Sequence, residues 1–204
     1  MCGRFLFSFD VDEVMKSYKV SKNLCNDIEK GEKFPGTKIP VILNQDGNLV
    51  IKDIYWGIKY GSKNIINARF ETVEEKPLFK GLLQSSRCII PASSYYEWKV
   101  KGKSKEKMEI SQIHNESMAL AGIYGNFKDG EDNYYEAVVI LTVPADESIE
   151  DIHPRMPLII SKELIKYWLD PSITNIDKQK ILEANYGQSF SSKNCEGLQQ
   201  MSFL

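Results

Sequence analysis

The chain has 204 residues, 42% of them hydrophobic, which is enough for one well-buried core and predicts a single domain over 1–204. Its formal net charge of -2 argues against a globally basic nucleic-acid binder. No apolar run reaches membrane-spanning length and the N-terminus lacks the basic-then-apolar build of a signal peptide, so a cytoplasmic protein is expected.

The first residues are Met1-Cys2-Gly3-Arg4-Phe5. Methionine is usually trimmed when a small residue follows, and Cys2 would then carry a free α-amine and a thiol on one Cα. Their unperturbed pKa values lie near ~8 and ~8.5, so both have reactive fractions close to neutrality. Such an aminothiol condenses with an aldehyde to a Schiff base and then closes a five-membered thiazolidine. A second-residue cysteine is also compatible with no function at all, and the rest of the chain has to decide.

Asp10 reads as the N-cap of a short helix running to about residue 18, with acidic residues in its first turn. Residues 19–37 look like loop. Strands at 39–43 and 49–55 flank Gln45-Asp46-Gly47-Asn48, a hairpin signal, and Trp56-Gly57 ends the hairpin. Pro77 fits the first turn of a helix reaching about 85. Strands are expected at 87–90 and 95–100, then, after the basic loop 101–105, at 107–111, 118–126 and 134–143. Helices are expected at 163–169 and 177–184, and the polar stretch 186–204 reads as a loose tail. Many strands with helices unevenly interspersed indicate an α+β fold.

The four cysteines are scattered without a CxxC pair or a histidine cluster, which disfavours structural zinc and a disulfide framework. Cys88, inside an apolar run, reads as core. The 26 basic residues include only four arginines, Arg4, Arg69, Arg87 and Arg155. Arginine's flat fork grips phosphate or carboxylate bidentately, which an ammonium cannot do.

Three segments carry candidate chemistry. In an extended Asn67-Ala68-Arg69, the amide and guanidinium share a face. In Tyr95-Tyr96-Glu97-Trp98, read as a strand, Tyr96 and Trp98 share one face and Tyr95 and Glu97 the other. An acid among aromatics there is a candidate for a raised pKa suited to proton transfer, against the alternative of a solvated strand acid. In His153-Pro154-Arg155-Met156-Pro157 the prolines favour extended backbone, which puts an imidazole and a guanidinium on roughly one side. His114, the other histidine, sits in a polar turn and reads as exposed.

Taken in order, MCGRF at 1–5, WG at 56–57, NARFET at 67–72, RCIIPASSYYEW at 87–98, AGIY at 121–124 and HPRMP at 153–157 resemble the SRAP family of SOS-response-associated peptidase-like proteins, which crosslink to abasic sites in DNA. The resemblance implies a bifurcated, barrel-like β-structure surrounded by helices, with no metal or cofactor. It implies a monomer whose partner is single-stranded DNA containing abasic sites. Cys2 would be the nucleophile, Asn67 its hydrogen-bond partner, Glu97 the acid/base and His153 a second proton-transfer or phosphate-positioning group. Arg4, Arg69 and Arg155 would hold backbone phosphates. Trp56 would offer an apolar surface to exposed bases, with a core role as the alternative. The rival readings are an N-terminal-cysteine peptidase using Cys2, Glu97 and His153, and a single-strand sensor in which Cys2 matters little. Phe70, where the family usually has alanine, faces away from Asn67 and Arg69 in an extended segment.

Overall fold

Five strands, Lys38–Gln45, Asn48–Trp56, Arg87–Ala92, Met118–Lys128 and Tyr134–Pro144, close into a ring in this computed structural model, which describes residues 2–26, 28–113, 117–131 and 133–195. From Asn48–Trp56 the ring proceeds through Lys38–Gln45, Arg87–Ala92 and Met118–Lys128 to Tyr134–Pro144 by antiparallel pairing at every step. Each such step reverses direction, so after four of them the last strand runs parallel to the first. The closing seam therefore has to be parallel. It joins Tyr55 to Ala137 and Trp56 to Val138, and the Gly57 N–H extends it by donating to the Val138 carbonyl at 3.0 Å. This is the barrel-like α+β fold that the sequence implied.

The ring splits at one end. Met118–Lys128 and Tyr134–Pro144 pair from Gly122 with Ile140 outward to Lys128 with Tyr134, then separate. The segment beginning with strand Arg155–Pro157 fills the wedge, pairing Met156 with Val143 and Pro157 with Thr142. Farther along, the Leu158 carbonyl accepts from Ala121 N–H at 2.8 Å, and Ile160 N–H donates to the Ala119 carbonyl at 2.9 Å. On the opposite side, Tyr134–Pro144 takes the parallel strand Asn67–Arg69, with Asn67 beside Ile140 and Arg69 beside Thr142. Two site segments thus flank one strand.

An arginine fork welds this junction. Arg155 Nη1 and Nη2 lie 2.5 and 2.9 Å from the two carboxylate oxygens of Glu71, and Nη2 also donates to the Thr142 carbonyl at 2.6 Å. Burial pushes the Glu71 carboxyl up, but the hydrogen bonds from Arg155, a backbone hydrogen bond and the charges of Arg155 and Arg69 together outweigh it and hold the pKa below the usual glutamate value.

A second, antiparallel sheet lies alongside in the order Phe190–Asn194, Ser104–Gln112, Ser94–Lys101, Phe5–Phe7, Gly31–Lys33. The chain passes into it directly from Arg87–Ala92, a strand in which all six residues are buried. Helix Ile165–Leu169 covers that strand, and Trp168 Nε1 donates to the Cys88 carbonyl at 2.9 Å. Arg87 is buried beneath it, its guanidinium capping the carbonyls of Leu83, Gln84, Trp168 and Asp170.

Several local expectations are corrected. The 19–37 stretch contributes short strands at Lys22–Asn23 and Gly31–Lys33, whose pairing is set by neighbouring strands and leaves no local hydrophobic pattern. The helix expected from Pro77 breaks at Gly81, with φ +83°, into a 3-10 turn Pro77–Phe79 and a short helix Leu82–Ser85. Ile58–Tyr60 and Lys63–Ile65 form an unexpected hairpin. Part of the expected loose tail is ordered as Phe190–Asn194, which pairs with Ser104–Gln112 and buries Phe190. His114 and residues 196–204 lie outside the described residues. Among those described, no helix is long and apolar enough to cross a membrane.

Two features of this frame are measurable. Gly57 has φ +121°, and a Cβ there would come within 2.2 Å of Asn64 Oδ1. Gly57→Ala is expected to cost about 1–3 kcal/mol in denaturant unfolding. Gly130→Ala, which meets open space without a positive φ, should cost little. The depressed pKa of Glu71 contributes stability that is complete above the ordinary glutamate value near ~4.3 and is lost as pH falls through the folded value. Glu71→Gln should lower the melting temperature at neutral pH and flatten the acid limb of the stability profile. An acid limb unchanged by the substitution would assign the loss to other carboxylates.

Candidate active site

Cys2 is fully buried at the junction of the two sheets. From one side Asn67 Nδ2 donates to the Cys2 carbonyl at 2.9 Å. On the other, the Arg4 carbonyl accepts Tyr96 N–H at 2.9 Å and receives a long contact from Cys2 Sγ at 3.8 Å. Asn67 belongs to the ring assembly and Tyr96 to the second sheet, so the backbone at Cys2 is fixed by both.

Strand Ser94–Lys101 alternates as expected. Tyr95 and Glu97 leave it on one face, and both are buried, at 0% and 4% exposure. Tyr95 stands opposite Phe5 in the register. The Cys2 thiol is pushed far above its usual range, first by burial and next by the Glu97 carboxylate. Thiol and carboxylate are therefore close enough to repel as anions.

His153 sits just ahead of the strand that fills the wedge. Its Nδ1 lies 3.0 Å from Arg155 N–H and 2.9 Å from the Arg155 carbonyl. Nδ1 accepts from the N–H in one tautomer and donates to the carbonyl in the other. The imidazole is thereby tied to the same residue whose fork grips Glu71 and Thr142.

The four arginines have separate settings. Arg155 has its fork engaged by Glu71 and Thr142, as described. Arg4 packs over Phe34 and Trp98, with its Cζ 4.7 and 5.2 Å from the ring centroids, and pairs with Glu32 at 3.2 Å. Trp98 leaves its strand on the face opposite Glu97, so Arg4 is turned to the other side of the sheet. Arg87 is the buried carbonyl cap. Arg69 alone among the four is exposed. It borders, with Asn67, a groove of about 950 Å³ whose walls include Tyr60, Thr72, Lys76 and Phe79.

Trp56 requires a correction. Its side chain has 0% exposure and presents no surface to a base. Its ring lies 5.4 Å from that of Phe5, and Nε1 donates to the Ile66 carbonyl at 3.0 Å. Ile66 immediately precedes Asn67, so Trp56 braces the Asn67–Arg69 segment from within. Glu71, Tyr60 and Lys76 escaped sequence reasoning. Glu71, two residues before the Val73-Glu74-Glu75 run, carries no local mark of pairing with Arg155, which is 84 positions away. Tyr60 is marked only as a large aromatic in a polar hairpin, 65% exposed.

Among the described residues no group of three or more His, Cys, Asp and Glu is arranged to hold a metal ion. Met1, whose removal would create the aminothiol, lies outside the described residues.

Comparison with known proteins accords with this arrangement. The family model for the SOS response associated peptidase (SRAP) matches residues 1–196. The abasic site processing protein YoqW of Bacillus subtilis is 36% identical over 192 residues, covering 87% of this chain and 84% of the relative. YedK of Escherichia coli, also named an abasic site processing protein, is 30% identical over 190 residues, covering 89% of this chain and 85% of its own. A solved protein of Bacteroides thetaiotaomicron superposes with a TM-score of 0.77 at 22% identity, covering 98% of this chain and 95% of that one, a likeness of fold. With the family model spanning nearly the whole chain, this protein belongs to the SRAP family.

Proposed function

We propose that the protein processes abasic sites in DNA, and that it does so by covalent capture in single-stranded DNA through Cys2. The observation that supports this reading most is the setting of Cys2: a second-residue cysteine, its carbonyl held by Asn67 and its thiol beside the buried Glu97. The names of the relatives YoqW and YedK point to the same substrate class.

Removal of Met1 gives Cys2 a free α-amine. The aldehyde of an abasic sugar is mostly masked as a cyclic hemiacetal, so the ring must first open, and Glu97 as an acid protonates the ring oxygen. The amine attacks C1′, water leaves, and an iminium forms, with Glu97 taking and returning protons. The thiol then gives its proton to the Glu97 carboxylate. The sulfur lone pair forms the C–S bond as the C=N pair moves onto nitrogen, which retains its proton. The product is a neutral thiazolidine, and no electrons are gained or lost. Desolvation disfavours a thiolate before substrate arrives, while the cationic iminium favours it at the moment of closure. His153 is placed to position a phosphate or relay a proton. Arg69 and the groove beside it hold the flanking backbone. Single-stranded substrate fits because its backbone bends easily and the lesion needs no extrusion from a stacked duplex.

Fully Met1-processed protein should give a band shifted on a denaturing gel with single-stranded abasic DNA. Absence of that band would sink the proposal, and an acyl-enzyme formed with an amide substrate would replace it with the peptidase reading. Cys2→Ala should leave only a borohydride-reducible imine, and extra residues ahead of Cys2 should abolish the adduct because the amine becomes an amide. Glu97→Gln should slow adduct formation by about 100-fold or more. Arg69→Ala should weaken DNA binding and reduce its salt dependence by about one phosphate contact, with little change in the rate at saturation.

A further inference from the structure

The strand that delivers Glu97 brings a second polar group to the same face. Tyr95 is fully buried opposite Phe5, yet its hydroxyl has no hydrogen-bond partner among the described residues. A phenylalanine in the same place would keep the ring packing and avoid burying an unmade donor, so the hydroxyl detracts from stability. Nothing in the packing of the ring requires it.

Its surroundings suggest a use. Burial foremost, then the charges of Cys2, Glu97 and Asp146, hold the phenol well above its usual range, so at neutral pH it is an uncharged donor in the vicinity of Cys2. The backbone fixes this relation. The Arg4 carbonyl that receives Cys2 Sγ also accepts the N–H of Tyr96. Tyr95 and Glu97 leave the strand on either side of Tyr96 and on one face of it. The two side chains differ in what they offer a sulfur atom that is losing its proton. Glu97 accepts the proton, whereas the phenol keeps its own and donates a hydrogen bond to the charge left on sulfur. Asn67 Oδ1, on the side chain that holds the Cys2 carbonyl, also has no partner among the described residues, but it is an acceptor and cannot stabilise an anion.

We propose that Tyr95 is a positioning residue for Cys2, its hydroxyl donating a hydrogen bond to the sulfur as the thiol proton passes to Glu97 and the C–S bond forms. The inference rests on the thiazolidine reading and adds to it a donor for the charge that moves onto sulfur as Glu97 takes the proton. No oxidant, reductant or further reactant is involved, because the phenol keeps its own proton throughout. Tyr95 acts on ring closure, the sulfur step, and leaves imine formation, the amine step, to Glu97.

That separation supplies the test. Met1-processed wild type and Tyr95→Phe are mixed with a single-stranded oligonucleotide carrying one abasic site. Total capture is read by borohydride trapping and ring closure by the adduct that persists without it, between about pH 6 and 9. The expected result has four parts. The melting temperature is unchanged or higher, DNA affinity is unchanged, imine formation is unchanged, and ring closure is about tenfold slower throughout this range, because the buried thiol does not ionise unaided within it. Ring closure equal to wild type across the range would overturn the inference, as would equal slowing of both steps. A lowered melting temperature would also overturn it, by showing that the hydroxyl serves the fold. In each of these cases wild-type capture stands. A wild type that makes no adduct removes the covalent reading and the inference together.

Discussion

The parallel seam between Asn48–Trp56 and Tyr134–Pro144 is the constraint on which the rest depends. A ring of five strands cannot be antiparallel throughout, and this chain places its one parallel junction where only two residue pairs meet. That seam is the ring's one parallel step, beside the parallel pairings of Asn67–Arg69 and Lys22–Asn23 outside it, and so short a ladder needs support. Gly57 extends it by one hydrogen bond in a conformation that disfavours side chains, and Trp56 fills the space behind it. The Ile66 carbonyl accepts both Trp56 Nε1 and Ile140 N–H, at 3.0 and 3.1 Å, so the chain leaving the seam returns to the same strand. Asn67 follows directly and reaches Cys2. The position of the amide is therefore a consequence of how the ring closes.

The same strand organises the other half of the site. By splitting from Met118–Lys128 it opens the wedge that the Arg155–Pro157 segment fills, and the Glu71–Arg155 fork ties the two flanking segments across it. A bidentate pair fixes direction as well as distance. His153 gains its orientation from Arg155 in turn. The amide and the imidazole are thus held by their own hydrogen bonds to the Cys2 and Arg155 backbone as well as by one ion pair. Burial of the thiol beside a carboxylate is unfavourable for a thiolate in the resting protein. On the proposed reading this is useful, because it confines the reactive form to the interval in which an adjacent iminium is present.

Local segments were legible in the sequence where a period or a turn enforced them. The Asp10-capped helix, the Asp46-Gly47 hairpin and the alternation of Tyr95 and Glu97 against Tyr96 and Trp98 all follow from rules of a few residues' range. The ring itself was visible only through resemblance, because strand pairing is a long-range matter that no window contains. Edge strands such as Gly31–Lys33 and Phe190–Asn194 were invisible for the same reason: their pattern is polar and their partners lie far off in the chain. Trp56 shows the limit of composition. A tryptophan is as fit for stacking on a base as for filling a core, and only its zero exposure distinguishes them.

The scarcity of arginine also takes on a different meaning. Its rarity among 26 basic residues suggested phosphate binding, yet Arg87 caps four carbonyls, Arg155 grips Glu71, and Arg4 packs over Trp98 beside Glu32. Three of the four thus use the planar fork to organise protein. Arginine was retained where a rigid, always-charged donor set had several acceptors to satisfy, a need that lysine does not meet. Of the four arginines Arg69 is the one left exposed, with Lys76 along the same groove, on a chain whose net charge is -2. On the proposed reading, a groove with few phosphate contacts binds DNA weakly and with a shallow salt dependence. Weak reversible binding is sufficient for a protein that holds its substrate by a covalent bond, and it limits time spent on intact strands. On the proposed reading, selectivity for the lesion then resides in the aldehyde, the one group that Cys2 can capture and undamaged DNA lacks.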